Sequence, residues 1–137
     1  MPTVKYDNEK EGVVSSQQSA RKSILLVDSE ESDRTLLGSL LKGEGHRVTA
    51  CGTLFEAIAI SQIQTFDFVI TDHSSSGVDG LRLLRIVKQH DRRIPVLLIS
   101  QLYEVEPYLA AMNSGALDYL CKPVDYVEVQ RLVSLHW

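Results

Sequence analysis

The sequence holds little of several residue types, and each shortage excludes something. Two cysteines in 137 residues, Cys51 and Cys121, cannot make a disulfide scaffold. Four prolines and eight glycines, neither in a repeat, exclude collagen-like and low-complexity classes. The four histidines, His46, His73, His90 and His136, have no metal-ligand spacing. No apolar run approaches the roughly 20 residues that cross a bilayer. The longest are 24–27 and 94–99, the latter containing a proline. No N-terminal apolar region resembles a secretory signal, so the expectation is a cytoplasmic protein with reduced thiols and no membrane contact. A basic excess is also missing. The net charge is −4, which argues against direct nucleic-acid binding. What remains, 44% hydrophobic and 23% charged residues, is ordinary for a globular domain, and the length suits one.

Residues 1–22 mix Lys, Glu, Asp, Ser and Gln without helical or alternating period, and read as a flexible polar tail. Residues 23–137 hold ten basic and fifteen acidic side chains, so the folding part is the more acidic one. There, short apolar runs alternate with amphipathic stretches five times, the pattern of βα units around a parallel sheet. Ile24-Leu25-Leu26-Val27, Phe68-Val69-Ile70 and Val96-Leu97-Leu98-Ile99 are continuously apolar, as strands covered on both faces should be. Segments 47–51 and 118–121 are more polar and suit the sheet edges. Helices are predicted over 31–42, with Gly43 ending the first, and over 54–64, 79–89, 104–113 and 126–135. Five such units match a doubly wound, flavodoxin-like α/β sheet of order 2-1-3-4-5.

Ligands of such sheets bind at the carboxyl ends of the strands. Strand one there ends in Asp28, strand three in Thr71-Asp72 and strand four in Ser100, and strand five is followed by Lys122-Pro123. Two carboxylates, a hydroxyl and an ammonium in one crevice suit phosphoryl transfer to a carboxylate. One carboxylate attacks, the other holds a divalent cation, and the remaining groups take up phosphoryl charge.

These residues, with Gly77, Asp79-Gly80 and the run Gly115-Ala116-Leu117-Asp118-Tyr119-Leu120-Cys121-Lys122-Pro123, resemble the receiver domain of bacterial two-component response regulators over 23–137. The resemblance implies that Asp72 accepts a phosphoryl group in a phosphorelay, from a sensor histidine kinase or a phosphotransfer protein. It implies Mg²⁺ on Asp28, Asp72 and the backbone carbonyl of Ser74. Ser100 and Lys122 would contact the phosphoryl group, and Tyr119 would change rotamer with activation. It further implies a cis Lys122–Pro123 bond, no enzymatic activity beyond self-phosphorylation and self-dephosphorylation, and a homodimer through the face of helix four, strand five and helix five.

Three positions depart from the family pattern. Ser29 stands where a second acid normally ligates the metal, which weakens a hard-cation site. Ser74-Ser75-Ser76 lacks the usual proline and its fixed φ. Gln101 is long where the family is small. Glu30 reads as an opening-turn acid, Asp79-Gly80 as a helix cap, Asp118 as a turn acid, and His73 as a modifier of access to Asp72. Cys51 and Cys121 fall on opposite sheet edges, which excludes a bond between them. The competing reading is a pseudo-receiver, an interaction module that works without phosphorylation. A phosphatase using an aspartyl phosphate is set aside because Ser74 stands where its second acid is required. Any output is expected from a partner or from sequence beyond Trp137.

Overall fold

The computed structural model describes residues 21–101 and 104–135. Its elements are β1 (Ser23–Val27), α1 (Glu31–Gly43), β2 (Arg47–Cys51), α2 (Leu54–Ser61), β3 (Phe68–Asp72), α3 (Gly80–His90), β4 (Val96–Ser100), α4 (Val105–Asn113), β5 (Asp118–Cys121) and α5 (Tyr126–Leu135). The five strands are parallel in the order β2-β1-β3-β4-β5. Apart from Ser23 at the start of β1, every residue of β1, β3 and β4 is buried, which is why their sequences are apolar without alternation.

Successive side chains of a strand point to opposite faces, so each central strand feeds two cores. Leu25, Val27, Val69, Val96 and Leu98 join Ala57, Leu83, Leu84, Val87 and Ala111 under α2, α3 and α4. Ile24, Leu26, Phe68, Ile70, Leu97 and Ile99 meet Leu37, Leu41, Val129, Leu132 and Val133 of α1 and α5. Every helix therefore covers one of two continuous apolar surfaces.

Several boundaries differ from the sequence expectation, each for a local reason. Gly43 stays inside α1; the left-handed glycine that closes the turn is Gly45, at φ 95°, with Glu44 as the cap. Helix α2 stops at Ser61, whose hydroxyl turns back onto the Ile58 carbonyl. Asp79 lies outside α3 and caps it, accepting the Arg82 N–H. Of the stretch read as a tail, residues 1–20 lie outside the described residues. Arg21 and Lys22 already belong to the fold: Lys22 is buried, its N–H donates to His46 Nδ1 and its carbonyl accepts from Arg47. Cys51 and Cys121 are both free, on the two edge strands β2 and β5.

Leu41 is fully buried under the sheet, whereas Leu36 on the same helix is 63% exposed. Leu41→Ala should cost about 2–5 kcal/mol in urea unfolding, and Leu36→Ala no more than about 0.5 kcal/mol. Equal effects would contradict this assignment of the buried face of α1.

Candidate functional site

Parallel register lines up the strand ends. Val27 pairs with Thr71, which leaves Asp28 and Asp72 as the next residues of neighbouring strands β1 and β3. Asp72 pairs with Ile99, and Ser100 with Cys121, so Lys122 follows directly beyond β4 and β5. The ladder continues past the strands: His73 N–H donates to the Ile99 carbonyl at 2.9 Å, and Lys122 N–H to the Ser100 carbonyl at 2.8 Å. The Lys122–Pro123 bond is cis, as the sequence led one to expect.

The result is a buried cluster of charges. Asp28 and Asp72 are each only 4% exposed. The Lys122 ammonium sits 3.0 Å from Asp28 Oδ2 and 3.4 Å from Asp72 Oδ1. Ser29 donates its hydroxyl to Asp72 Oδ2 at 3.1 Å. The Glu30 N–H donates to Asp28 Oδ1 at 2.9 Å, while its own carboxylate is exposed at the N-cap of α1 with no capping bond, in keeping with an ordinary opening-turn acid. Ser100 is fully buried, and Gln101 beside it is exposed. Tyr119 is half-buried in edge-to-face contact with Tyr108, ring centroids 6.1 Å apart, and its hydroxyl is buried without a hydrogen-bond partner among the described residues. Asp118 opens β5 and accepts from the Tyr119 N–H.

Electrostatics follow from this burial. Burial pushes the Asp28 carboxyl above its ordinary 3.8; the Asp72 charge adds to that push, while the Glu30 N–H and Lys122 oppose it. Burial alone would lower the Lys122 ammonium, but its bonds to Asp28 and Asp33 and the charges of Asp28 and Asp72 outweigh it and hold the group above 10.5. Among the described residues, no group of three or more His, Cys, Asp or Glu side chains is set to hold a metal. The oxygen donors at hand are two carboxylates, hydroxyls and backbone carbonyls.

Two residues of the site, Asp33 and Arg34, went unread in the sequence, and two glycines, Gly77 and Gly80, were read without the close approaches they permit. Asp33 accepts from Lys122 at 3.0 Å. Its signal was helical phase, because Leu37 and Leu41, four and eight residues on, are the buried stripe of α1. Arg34 donates to the Asp28 carbonyl at 2.7 Å and fixes the end of β1. Gly80 was read only as part of a cap, yet a Cβ there would lie 2.5 Å from the Asp72 carbonyl oxygen. Only glycine lets α3 approach the end of β3 so closely. At Gly77, a Cβ would come within 2.5 Å of the Ser74 hydroxyl and 2.7 Å of the Ser29 hydroxyl. The serine loop is fastened without proline: Ser74 N–H donates to the Val78 carbonyl, and Gly80 N–H to His73 Nδ1.

Residues 24–134 match the response regulator receiver domain family. Transcriptional regulatory protein ZraR of Klebsiella oxytoca is 36% identical over 111 residues, 81% of this chain and 25% of that protein. Response regulator protein FleR of Pseudomonas aeruginosa is 32% identical over 113 residues, 82% of this chain and 24% of FleR. The chain thus spans about a quarter of the length of these curated relatives. The solved receiver domain of nitrogen regulatory protein C, in its BeF3-activated form, is similar at TM-score 0.73 and 32% identity, covering 85% of this chain and 94% of that one. A receiver domain protein of Methanospirillum hungatei shares the fold at TM-score 0.79 and 22% identity, covering 84% of this chain and 92% of that one.

Because the folded Asp28 carboxyl lies above its ordinary value, the native state holds more of this proton than the unfolded state as pH rises past about 3.8. Stability from this group therefore falls as pH rises through that window. Measured in EDTA, the unfolding free energy of Asp28→Asn relative to the parent protein should improve as pH rises from below the ordinary carboxyl value of 3.8 towards neutrality. A difference that stays flat or worsens would contradict it.

Proposed function

The chain belongs to the response regulator receiver domain family, and from that premise we propose that Asp72 accepts a phosphoryl group and makes the domain a signalling switch in a two-component phosphorelay. The observation that carries this reading is the joining of buried Asp72 and Asp28 to one ammonium, Lys122, at the carboxyl edge of the sheet. An oxygen of Asp72 attacks the phosphorus of a phosphohistidine. The P–N bond breaks as the P–O bond forms, and its electron pair leaves with the imidazole. Water later attacks phosphorus, inorganic phosphate departs and the carboxylate is restored. The only chemistry is on the chain's own Asp72.

Receiver domains generally bind Mg²⁺ at the acidic pocket. Here Asp28, Asp72 and the backbone carbonyl of Ser74 would hold it, and the all-oxygen donor set fits a hard cation. The bare Cα of Gly77 supports the fit, leaving room for the Ser29 and Ser74 hydroxyls beside Asp72. When bound, the ion supplies positive charge to the phosphoryl oxygens. With Ser29 in place of an acid, one anionic ligand is missing and binding is weak.

Lys122 and Ser100 take the remaining phosphoryl charge, and Tyr119, whose buried hydroxyl has no hydrogen-bond partner among the described residues, is the side chain that changes position. A groove between α1 and the β5–α5 turn, lined by Leu36, Leu40, Val124 and Tyr126, has Asp28 and Lys122 at its floor. It fits an apolar helix face of the phosphodonor, a sensor histidine kinase or phosphotransfer protein. The α4–β5–α5 face bears exposed Val105, Leu109 and Val127 and suits a second copy of the domain. Ser29 is also the observation favouring the pseudo-receiver, in which these surfaces act without phosphorylation.

Intact-mass analysis after acetyl phosphate treatment separates the two. With Mg²⁺ the protein should gain one phosphoryl group, lost in Asp72→Asn. Ser29→Asp should lower the Mg²⁺ concentration needed on the order of tenfold. No addition under any divalent cation, in either the parent protein or Ser29→Asp, would leave the interaction module as the better account.

A further inference from the structure

The Lys122 ammonium has three N–H donors. Two are engaged by Asp28 and by Asp33 Oδ2, each at about 3.0 Å, whereas Asp72 Oδ1 stands farther off at 3.4 Å and makes no hydrogen bond to it. Three carboxylates thus share one ammonium, and the intended acceptor has the weakest hold. The three differ in setting. The side chains of Asp28 and Asp72 are 6% and 4% exposed, but that of Asp33 is 46% exposed, at the rim of the cluster. Asp33 also lies in the first turn of α1, where the helix dipole stabilises its charge whether or not Lys122 is present. An ion pair with one half-exposed partner is weak and readily exchanged.

We propose that Asp33 is a positioning residue that draws Lys122 aside from the unmodified acceptor and competes with the phosphoryl group for the ammonium. This rests on the reading of Asp72 as phosphoacceptor and adds a control on how strongly the modified state is favoured. A phosphoryl group on Asp72 places more negative charge beside Lys122 than the carboxylate does. To meet it, the ammonium must give up a bond, and the one to half-exposed Asp33 is the least costly, since water can replace Lys122 there. Asp33 therefore raises the threshold for the switched state without touching the reacting atoms.

The test uses beryllofluoride with Mg²⁺ as a phosphoryl analogue, its affinity read from intrinsic Trp and Tyr fluorescence or from NMR. Removing the competitor should give a gain: Asp33→Asn and Asp33→Ala should bind about two- to fivefold more tightly than the parent protein. Asp33→Glu, which keeps the charge, should return to parental affinity. Glu31→Gln removes a charge from the same helical turn without contact to Lys122 and should change affinity far less. The advantage of Asp33→Asn should shrink as salt is raised, because the broken pair is half in solvent. Damage to the fold would weaken binding, so it does not imitate this result. If the parent protein binds and Asp33→Asn is no tighter, or Glu31→Gln gains as much, the inference fails alone. If the parent protein does not bind beryllofluoride with Mg²⁺, the phosphoacceptor reading fails and takes this inference with it.

Discussion

Two carboxylates buried side by side and held by a single ammonium are the constraint around which the domain is arranged. Asp28 and Asp72 are both nearly sealed from water, and two such charges in one low-dielectric pocket repel each other. Lys122 counters both, while burial pushes the Asp28 carboxyl above its ordinary value. A buried charge cluster of this kind is one in which added positive charge, or a rearrangement of the ammonium, has a large effect. That is the physical condition for a switch.

The sheet makes this arrangement unavoidable once its order is set. In parallel register, the residues that follow Val27, Thr71 and Cys121 emerge on the same edge. Their backbones are anchored by strand hydrogen bonds deep in two apolar cores, so the charges cannot drift apart to relieve themselves. Small residues complete the fit. Gly80 lets α3 press against the Asp72 carbonyl, and Gly77 leaves space beside the Ser29 and Ser74 hydroxyls. Burial is therefore imposed on the acids by packing elsewhere, and the stability of the cores offsets it.

Legibility in the sequence followed how local each signal is. The apolar runs at 24–27, 68–70 and 96–99 announced central strands because both faces of each are covered, and the polar residues that close those strands, Asp28, Asp72 and Ser100, were then site candidates by topology. Helix ends were less legible. Gly43 was read as the stop of α1, and only the backbone at φ 95° identifies Gly45 as the glycine that closes the turn. The two lysine contacts show the same division. The meeting of Lys122 with Asp28 follows from strand order, whereas the meeting with Asp33, 89 residues away, depends on the rotation of α1 about its axis.

By itself, then, the sequence determined the class of fold, the order of the strands, and Asp28, Asp72, Ser100 and Lys122 as the residues at their ends. The strands and their end residues rest on patterns contained within a few neighbouring residues, and the strand order on the fivefold alternation of such units along 23–137 and its match to a doubly wound sheet. The tertiary structure alone decided how the ammonium is shared among three acids, that Ser29 bonds to Asp72, that Arg34 holds the end of β1, and that Gly80 must lack a side chain. Those depend on helix phase and on approach distances of a few tenths of an ångström. Such quantities are set by packing between segments distant in the chain, and a local pattern such as the Leu37 and Leu41 stripe limits only which face of a helix is buried.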